Sequence, residues 1–229
     1  MHLTGMEKAL RTVLTGVRHD DLTTDEVINL LVQSEWDYRE NKKIERALKG
    51  ANFRYQSYLE NIDYSPSRGL DKNLVMRLAT CSYVEQSENI VITGQTGVGK
   101  SYLATALGRQ ACLTGYKVLY KNAQKLFAQL RIASLNGTYL KELEKIAKKD
   151  IFIIDDFALE TIDHQMGLML LEILEDRGEK KPVIFTSQLP LEKWYDVISE
   201  KTIADAIMDR IVNTSHKIAL KGESLRKRK

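Results

Sequence analysis

The sequence predicts an α/β fold: a five-stranded parallel sheet covered by helices, preceded by a small all-helical N-terminal domain. Three observations carry this. From residue 89 onward, short aliphatic runs alternate with helical stretches, as parallel strands buried on both faces require. Residues 1–65 hold no proline, whereas Pro66, Pro182 and Pro190 punctuate the rest of the chain. A glycine-rich loop, Gly94 to Ser101, stands between the first aliphatic run and the helix after it. The chain has 229 residues, 43% hydrophobic and 28% charged, enough apolar material for a medium domain with a small one attached, so general disorder is excluded.

In the N-terminal part, Met6, Leu10, Val13, Leu14 and Val17 recur at helical spacing, and Thr23 or Thr24 with Glu26 close behind opens a second helix. A third helix is expected from about Asp37 to Leu48. The first proline then marks a boundary, giving expected domains of 1–64 and 65–229. The expected strands are 89–93, 116–120, 150–154, 182–186 and 216–220, with helices at about 100–113, 123–135, 163–177 and 200–212.

Several classes of function are excluded by composition. Cys81 and Cys112 lie far apart with no C-x-x-C spacing, and His2, His19, His164 and His216 are scattered, so neither a disulfide framework nor a zinc site is expected. No apolar run approaches the roughly 18 residues of a membrane span, and the opening MHLTGMEKALRTVL carries Glu7 without a small-residue cleavage site. The expectation is a cytoplasmic protein with no membrane partner. The formal charge of +3 is too mild to demand an anionic partner, but it is unevenly spread. Residues 1–64 carry net −2 and the remainder +5, with six Lys or Arg and one Glu between His216 and Lys229. That cluster reads as a solvated tail, or as an attractor of phosphates.

The strongest signal is Gly94-Gln95-Thr96-Gly97-Val98-Gly99-Lys100-Ser101. It matches G-x-x-x-x-G-K-[ST] between a predicted strand and a predicted helix, the context that a P-loop requires. Glycines let the backbone turn so that successive N–H groups and the helix N-terminus converge on a phosphate. Lys100 would reach the β and γ oxygens of ATP, and the Ser101 hydroxyl would bind Mg²⁺. Ile151-Phe152-Ile153-Ile154-Asp155-Asp156 supplies the acidic element at a strand end. Asp155 is expected to hold Mg²⁺, directly or through water, and Asp156 to orient and deprotonate an attacking water, or alternatively to cap the next loop. The fourth strand ends in Thr186-Ser187-Gln188; of these Gln188 is the candidate for touching the γ-phosphate or the water, since its amide both donates and accepts. Arg210, near the end of helix 200–212, is either half of a surface ion pair or an arginine finger for a neighbouring subunit, and spacing alone favours the pair.

The set GQTGVGKS, IFIIDDF, FTSQLP, ADAIMDRI and LKGESLRK resembles the IstB family of transposition helper ATPases, relatives of the DnaC-type helicase loaders within the AAA+ class. The likeness extends to LTGMEKAL and to the stretch NIDYSPSRGLDKNLVMRLATCSYVEQSENIVITG. It implies a Mg-dependent, DNA-stimulated ATPase in which Lys100 and Ser101 bind ATP and Mg²⁺, Asp155 is the Walker B aspartate, Asp156 takes the catalytic acid position and Gln188 falls near sensor 1. It also implies that Arg210 is a finger acting in trans within a homo-oligomer on double-stranded DNA, with a transposase as partner in transposition and DNA recombination. The wider AAA+ pattern has Glu at position 156 and Asn near sensor 1, and Arg226 is the candidate for a sensor 2 arginine.

Two stretches mix charge and aromatic residues in a way that suits nucleic acid. Lys125, Arg131, Lys141, Lys145, Lys148 and Lys149 surround two expected short helices, either as a phosphate-binding surface or as ordinary solvated lysines. Trp36, Arg39, Lys42, Lys43, Arg46, Lys49, Phe53, Arg54, Tyr55 and Tyr58 form the other; Trp36, Phe53 and Tyr58 read as core of a helical module, with stacking as the alternative. The leading expectation is an ATP-dependent DNA-binding helper that stimulates a transposase. A helicase loader stands as the alternative, and a small-molecule kinase lacks the acceptor domain and arginine-rich lid it would need.

Overall fold

A strand buried on both faces has no polar side to show, and the sequence obeys this: Ile151, Phe152, Ile153 and Ile154 are all fully buried. In the computed structural model, which describes residues 2–15 and 22–225, these residues open the third of five strands. The strands are β1 (Asn89–Gly94), β2 (Val118–Asn122), β3 (Ile151–Phe157), β4 (Val183–Ser187) and β5 (Ser215–Leu220). They pair in parallel in the order β2-β3-β4-β1-β5. The helices are α1 (Thr4–Thr15), α2 (Thr24–Ala51), α3 (Lys72–Ala79), α4 (Ser82–Glu85), α5 (Lys100–Leu113), α6 (Ala123–Leu135), α7 (Tyr139–Ala147), α8 (His164–Arg177), α9 (Trp194–Val197) and α10 (Lys201–Val212).

Alternate residues of one strand serve opposite faces of the sheet. Phe152 and Ile154 join Val91, Phe185 and residues of α6, α8 and α10 in one cluster. Ile153 points to the other face, where it meets α5 at Gly108. The second strand begins two residues later than expected, because Lys117 instead donates its N–H to the Asp150 side chain (2.7 Å). Its end then falls on Asn122, whose side chain accepts from the Lys125 N–H and caps α6.

The chain divides into two compact units, Met1–Ala47 and Leu48–Lys229. Residues 48–64, read from sequence as the end of the helical part, are packed in the second unit. The third helix expected from Asp37 to Leu48 does not exist as a separate element: α2 is one helix of 28 residues. No proline or glycine interrupts it between Thr24 and Lys49, so nothing there stops propagation. Its start follows the capping-box pattern, Glu26 accepting from the Thr23 N–H (2.8 Å) while Thr23 Oγ1 accepts from the Glu26 N–H (3.3 Å).

Within the first unit α1 crosses α2 at Gly5, where any Cβ would lie 2.5 Å from the Ser34 carbonyl oxygen. Glu35 of α2 accepts from the Gly5 N–H (2.8 Å) and the Met6 N–H (3.2 Å), so a buried carboxylate satisfies the open amides of the other helix's first turn. Arg39 bonds the second oxygen at 2.7 Å. That bond, together with the two amides, holds the Glu35 carboxyl below its usual range against the opposing effect of burial. A depressed folded-state value stabilises above the ordinary carboxylate range and is lost as pH falls below about 4. The Gly5 and Met6 amide resonances should therefore shift as a pair on acidification, and Glu35→Gln should place them at their acid positions at neutral pH. Unchanged resonances in that variant would refute the cap.

Trp36 is not core: it is 65% exposed, and Leu10, Leu14, Ile28, Leu30 and Val32 are exposed as well. Val17 of the expected first helix and the Arg226 candidate lie outside the described residues. Among the described residues no helix is long and apolar enough to cross a membrane, and no group of three or more His, Cys, Asp or Glu forms a metal cluster. Cys81 and Cys112 are free and buried.

Candidate nucleotide-binding site

The loop from Gly94 to Gly99 leaves the end of β1, between β4 and β5, and turns into α5. Gly97 has φ +85 and Gly99, the residue before the helix, φ +100, conformations closed to most side chains. A Cβ at Gly97 would also lie 2.1 Å from Ser224 Oγ. The loop is held from outside by Arg68, which is 5% exposed. Its guanidinium donates to the Val98 carbonyl and, at 3.1 Å, to the Glu223 carbonyl, while its own carbonyl accepts from the Lys221 N–H (2.9 Å). The Leu225 N–H donates to the Gly97 carbonyl (3.0 Å). The stretch LKGES is thus the outer wall of the phosphate loop, and Arg68 is the clasp between them.

Lys100 is 5% exposed, and its Nζ donates to the Gln95 carbonyl at 2.8 Å. Thr96 Oγ1 donates to Gln188 Oε1 at 2.8 Å, tying the loop to the end of β4. Thr96, Lys100, Ser101, Asp156 and Gln188 line one cleft of about 430 Å³, with Arg54 and Tyr55 on its rim. Beside it, Ile62, Leu70, Val98, Leu103, Leu220 and Leu225 line a second cavity of about 410 Å³. The first abuts the open N-terminus of α5; the second is the more apolar of the two, although Asn61, Asp63 and Arg68 line it as well.

The two aspartates are treated differently. Asp155 is fully buried and both of its oxygens are taken: Thr186 Oγ1 donates to Oδ1 (2.6 Å) and the Tyr120 hydroxyl donates to Oδ2. Burial first, and then the adjacent carboxylate, push the Tyr120 phenol well above its usual range, so it stays a neutral donor. Thr186 Oγ1 also accepts the Asp156 N–H (3.0 Å), so one hydroxyl ties the Asp155 carboxylate to the backbone of Asp156. Asp156 faces the cleft, and Asn122 Nδ2 donates to its Oδ2 (3.3 Å). Its backbone is left-handed, φ +57, as is that of Ala158, and the pairing of β3 with β4 slips between Ile154 and Phe157. A short polar side chain is the kind that tolerates that conformation, which gives a physical reason for Asp rather than Glu here.

Arg210 is not in the cleft. Its Nη2 pairs with Glu175 Oε1 (2.8 Å), and its carbonyl accepts from Asn89 Nδ2 (3.1 Å) at the start of β1. The phosphate loop leaves from the other end of that strand, five residue steps or roughly 17 Å away. The structure brings Lys100, Ser101, Asp156 and Gln188 to one cleft, sets Asp155 just behind it, and leaves Arg210 at the opposite end of the strands. Residues that sequence reasoning passed over are Tyr120, Asn122 and Arg68, whose partners are set by strand order rather than by spacing. Thr186 stands in TSQLP beside Gln188, and its bond to Asp155 depends on the pairing of β3 with β4.

The residues present suit a nucleoside triphosphate and its metal, on the donor set of the loop, the buried lysine and the Ser101 hydroxyl. Comparison with known proteins agrees. The family model for IstB-like ATP binding proteins matches residues 1–229. The insertion sequence ATP-binding protein y4pL of Sinorhizobium fredii is 40% identical over 227 residues, 99% of this chain and 93% of that protein. The IS1162 ATP-binding protein of Pseudomonas fluorescens is 39% identical over 191 residues, covering 83% of each. Among solved structures, DnaI superposes with a TM-score of 0.64 at 22% identity, covering 78% of this chain and 98% of that one. AMPPCP-bound DnaA from Aquifex aeolicus also gives 0.64, at 19% identity over 76% of this chain and 53% of that one. These two show the fold, a five-stranded parallel α/β core with a phosphate loop after its first strand. The chain belongs to the family of IstB-like ATP binding proteins.

Proposed function

We propose that this chain is an ATP-hydrolysing helper of transposition, working in the cytoplasm, that assembles as a homo-oligomer on double-stranded DNA and recruits or stimulates a transposase. The observation that carries the reading is the separation of Arg210 from the cleft that needs it. A protomer whose loop, carboxylates and Gln188 stand at one end of the sheet, and whose arginine stands at the other, is built to lend that arginine to a neighbour.

In this reading Gly94, Gln95, Thr96, Gly97, Val98 and Gly99 wrap the phosphates with backbone N–H groups, and Lys100 and Ser101 meet their oxygens. The cavity beside the loop, with its aliphatic wall of Val98, Leu103, Leu220 and Leu225, takes the base. Ser101 and Asp155 would hold Mg²⁺, whose charge would offset that of the phosphates. Asp156 accepts the proton of the attacking water, with Asn122 orienting its carboxylate and Gln188 aiming the water. For DNA, α6 and α7 offer Lys125 and Lys141, which take part in none of the ion pairs among the described residues, while Arg131, Lys145 and Lys148 are paired with Asp163, Glu142 and Glu144. Contact through such side chains reads phosphates rather than bases and weakens with salt. The relatives matching nearly the whole chain are insertion sequence proteins, which favours the transposition reading over helicase loading.

The test is ATP turnover with and without duplex DNA. Arg210→Ala should lower DNA-stimulated turnover by on the order of 10³, and Lys100→Ala should be inactive alone. Mixing the two should restore activity, because each supplies what the other lacks. No stimulation by DNA in the native chain, or no recovery on mixing, would overturn the proposal.

A further inference from the structure

The segment joining α2 to the sheet region lines the phosphate cleft at Arg54 and Tyr55, and it is fastened on both sides of them. On one side Phe53 packs edge-on against Tyr120, ring centroids 6.5 Å apart. It lies over Gly108, where an added Cβ would be 3.0 Å from Phe53 Cε1 and 2.6 Å from Ile153 Cδ1. On the other side Ser57 is fully buried, the Tyr58 N–H donates to the Tyr102 hydroxyl (3.2 Å), and the Arg109 guanidinium lies 4.5 Å from the Tyr58 ring centroid. Between these anchors Arg54 and Tyr55 are exposed and line the same cleft as Lys100, Asp156 and Gln188.

Arg54 takes part in none of the ion pairs among the described residues. Its guanidinium sits 5.2 Å from the Tyr55 ring centroid, a contact that orients a cation without neutralising it. Its neighbour Phe53 packs on Tyr120, whose hydroxyl is bonded to Asp155, and Arg54 lines the cleft together with Asp156, so it lies toward the carboxylate end. That is the end where the lysine of a P-loop meets the last phosphates.

We infer that Arg54 is a second cation for the γ-phosphate, supplied within the same chain, and that it makes the site distinguish a nucleoside triphosphate from a diphosphate. The inference rests on the proposed nucleotide reading of the site. A guanidinium offers two parallel N–H donors to phosphate oxygens, and only the triphosphate has a terminal group to receive them.

Binding of ATPγS and of ADP, each with Mg²⁺, should be measured by calorimetry on the full chain, native and carrying Arg54→Ala, Arg54→Lys or Lys100→Ala. Arg54→Ala should weaken ATPγS about tenfold while ADP stays within about twofold. Arg54→Lys should recover part of the loss, since it restores the charge without the fork. Lys100→Ala should weaken both nucleotides. Equal losses for ATPγS and ADP would make the segment a structural strap, and no change in either would remove Arg54 from the site; both results overturn the inference. A native chain that binds neither nucleotide would sink the nucleotide reading itself, whereas native binding with an unaltered ATPγS-to-ADP ratio in Arg54→Ala would sink only the role of Arg54.

Discussion

Lys100→Ala is expected to cut single-turnover ATP hydrolysis by about 10²–10³ or more, the loss typical of removing one preorganised electrostatic contact from a reacting group. The size depends on where the ammonium is kept. It is almost wholly buried, held at the Gln95 carbonyl on the phosphate loop, and so already positioned. A lysine in that setting gives up little hydration on meeting an oxyanion, whereas a solvated one would lose most of its advantage to water. The fold should tolerate the change, because loss of the bond to Gln95 costs only about 1 kcal/mol. Rapid-quench hydrolysis beside a thermal melt checks both halves. A variant hydrolysing within tenfold of the native chain would mean that phosphates are not bound at this loop.

Trp194→Ala is expected to destabilise the second unit by about 3–5 kcal/mol, the range for emptying a buried aromatic site. In a domain of this size that corresponds to a melting point lower by roughly 10 °C. Trp194 is fully buried, packed edge-to-face with Phe157 (4.7 Å) and Phe185 (5.6 Å), and its Nε1–H donates to the Leu189 carbonyl at 3.2 Å. That last bond reaches the residue after Gln188, so loss of the ring should loosen the end of β4 where Gln188 meets Thr96. Trp194→Phe keeps a ring but not the N–H, and should recover most of the stability in urea titration. A melting point unchanged by Trp194→Ala would show that the cluster closes over the gap.

The phosphate loop is legible in sequence because its residues are contiguous and each has a backbone or charge requirement that few other residues meet. The strands β1, β3 and β4 are legible for a related reason: only a strand covered on both faces tolerates runs such as IFII. The network around Asp155 is not legible, because Tyr120 and Thr186 come from strands on either side, and their adjacency depends on an order, β2-β3-β4, that spacing does not encode. Trp36 fails as a core assignment for want of thickness. A hairpin of two helices has too little interior for a large ring, even when the ring falls at a plausible helical position. The break expected near Asp37 fails because continuation of a helix needs only the absence of a breaker, and none stands between Thr24 and Lys49. The Arg210 pair with Glu175 fits the sequence expectation of a surface ion pair, but spacing could not reveal that it stands at the opposite end of the strands from the loop.

The left-handed turn at Asp156 has a consequence for how this position can vary. Two left-handed residues flank Phe157, whose ring is locked among Phe185 and Trp194. The direction of the carboxylate is therefore dictated by an aromatic bolt beneath the sheet's rim. Replacements are sorted by torsion ahead of electrostatics: asparagine or glycine can enter the bend, whereas isoleucine, valine or threonine must unscrew it. A homologous glutamate would need a differently shaped shoulder in the strand, so the exchange of one acid for the other is a change of scaffold as much as of side chain.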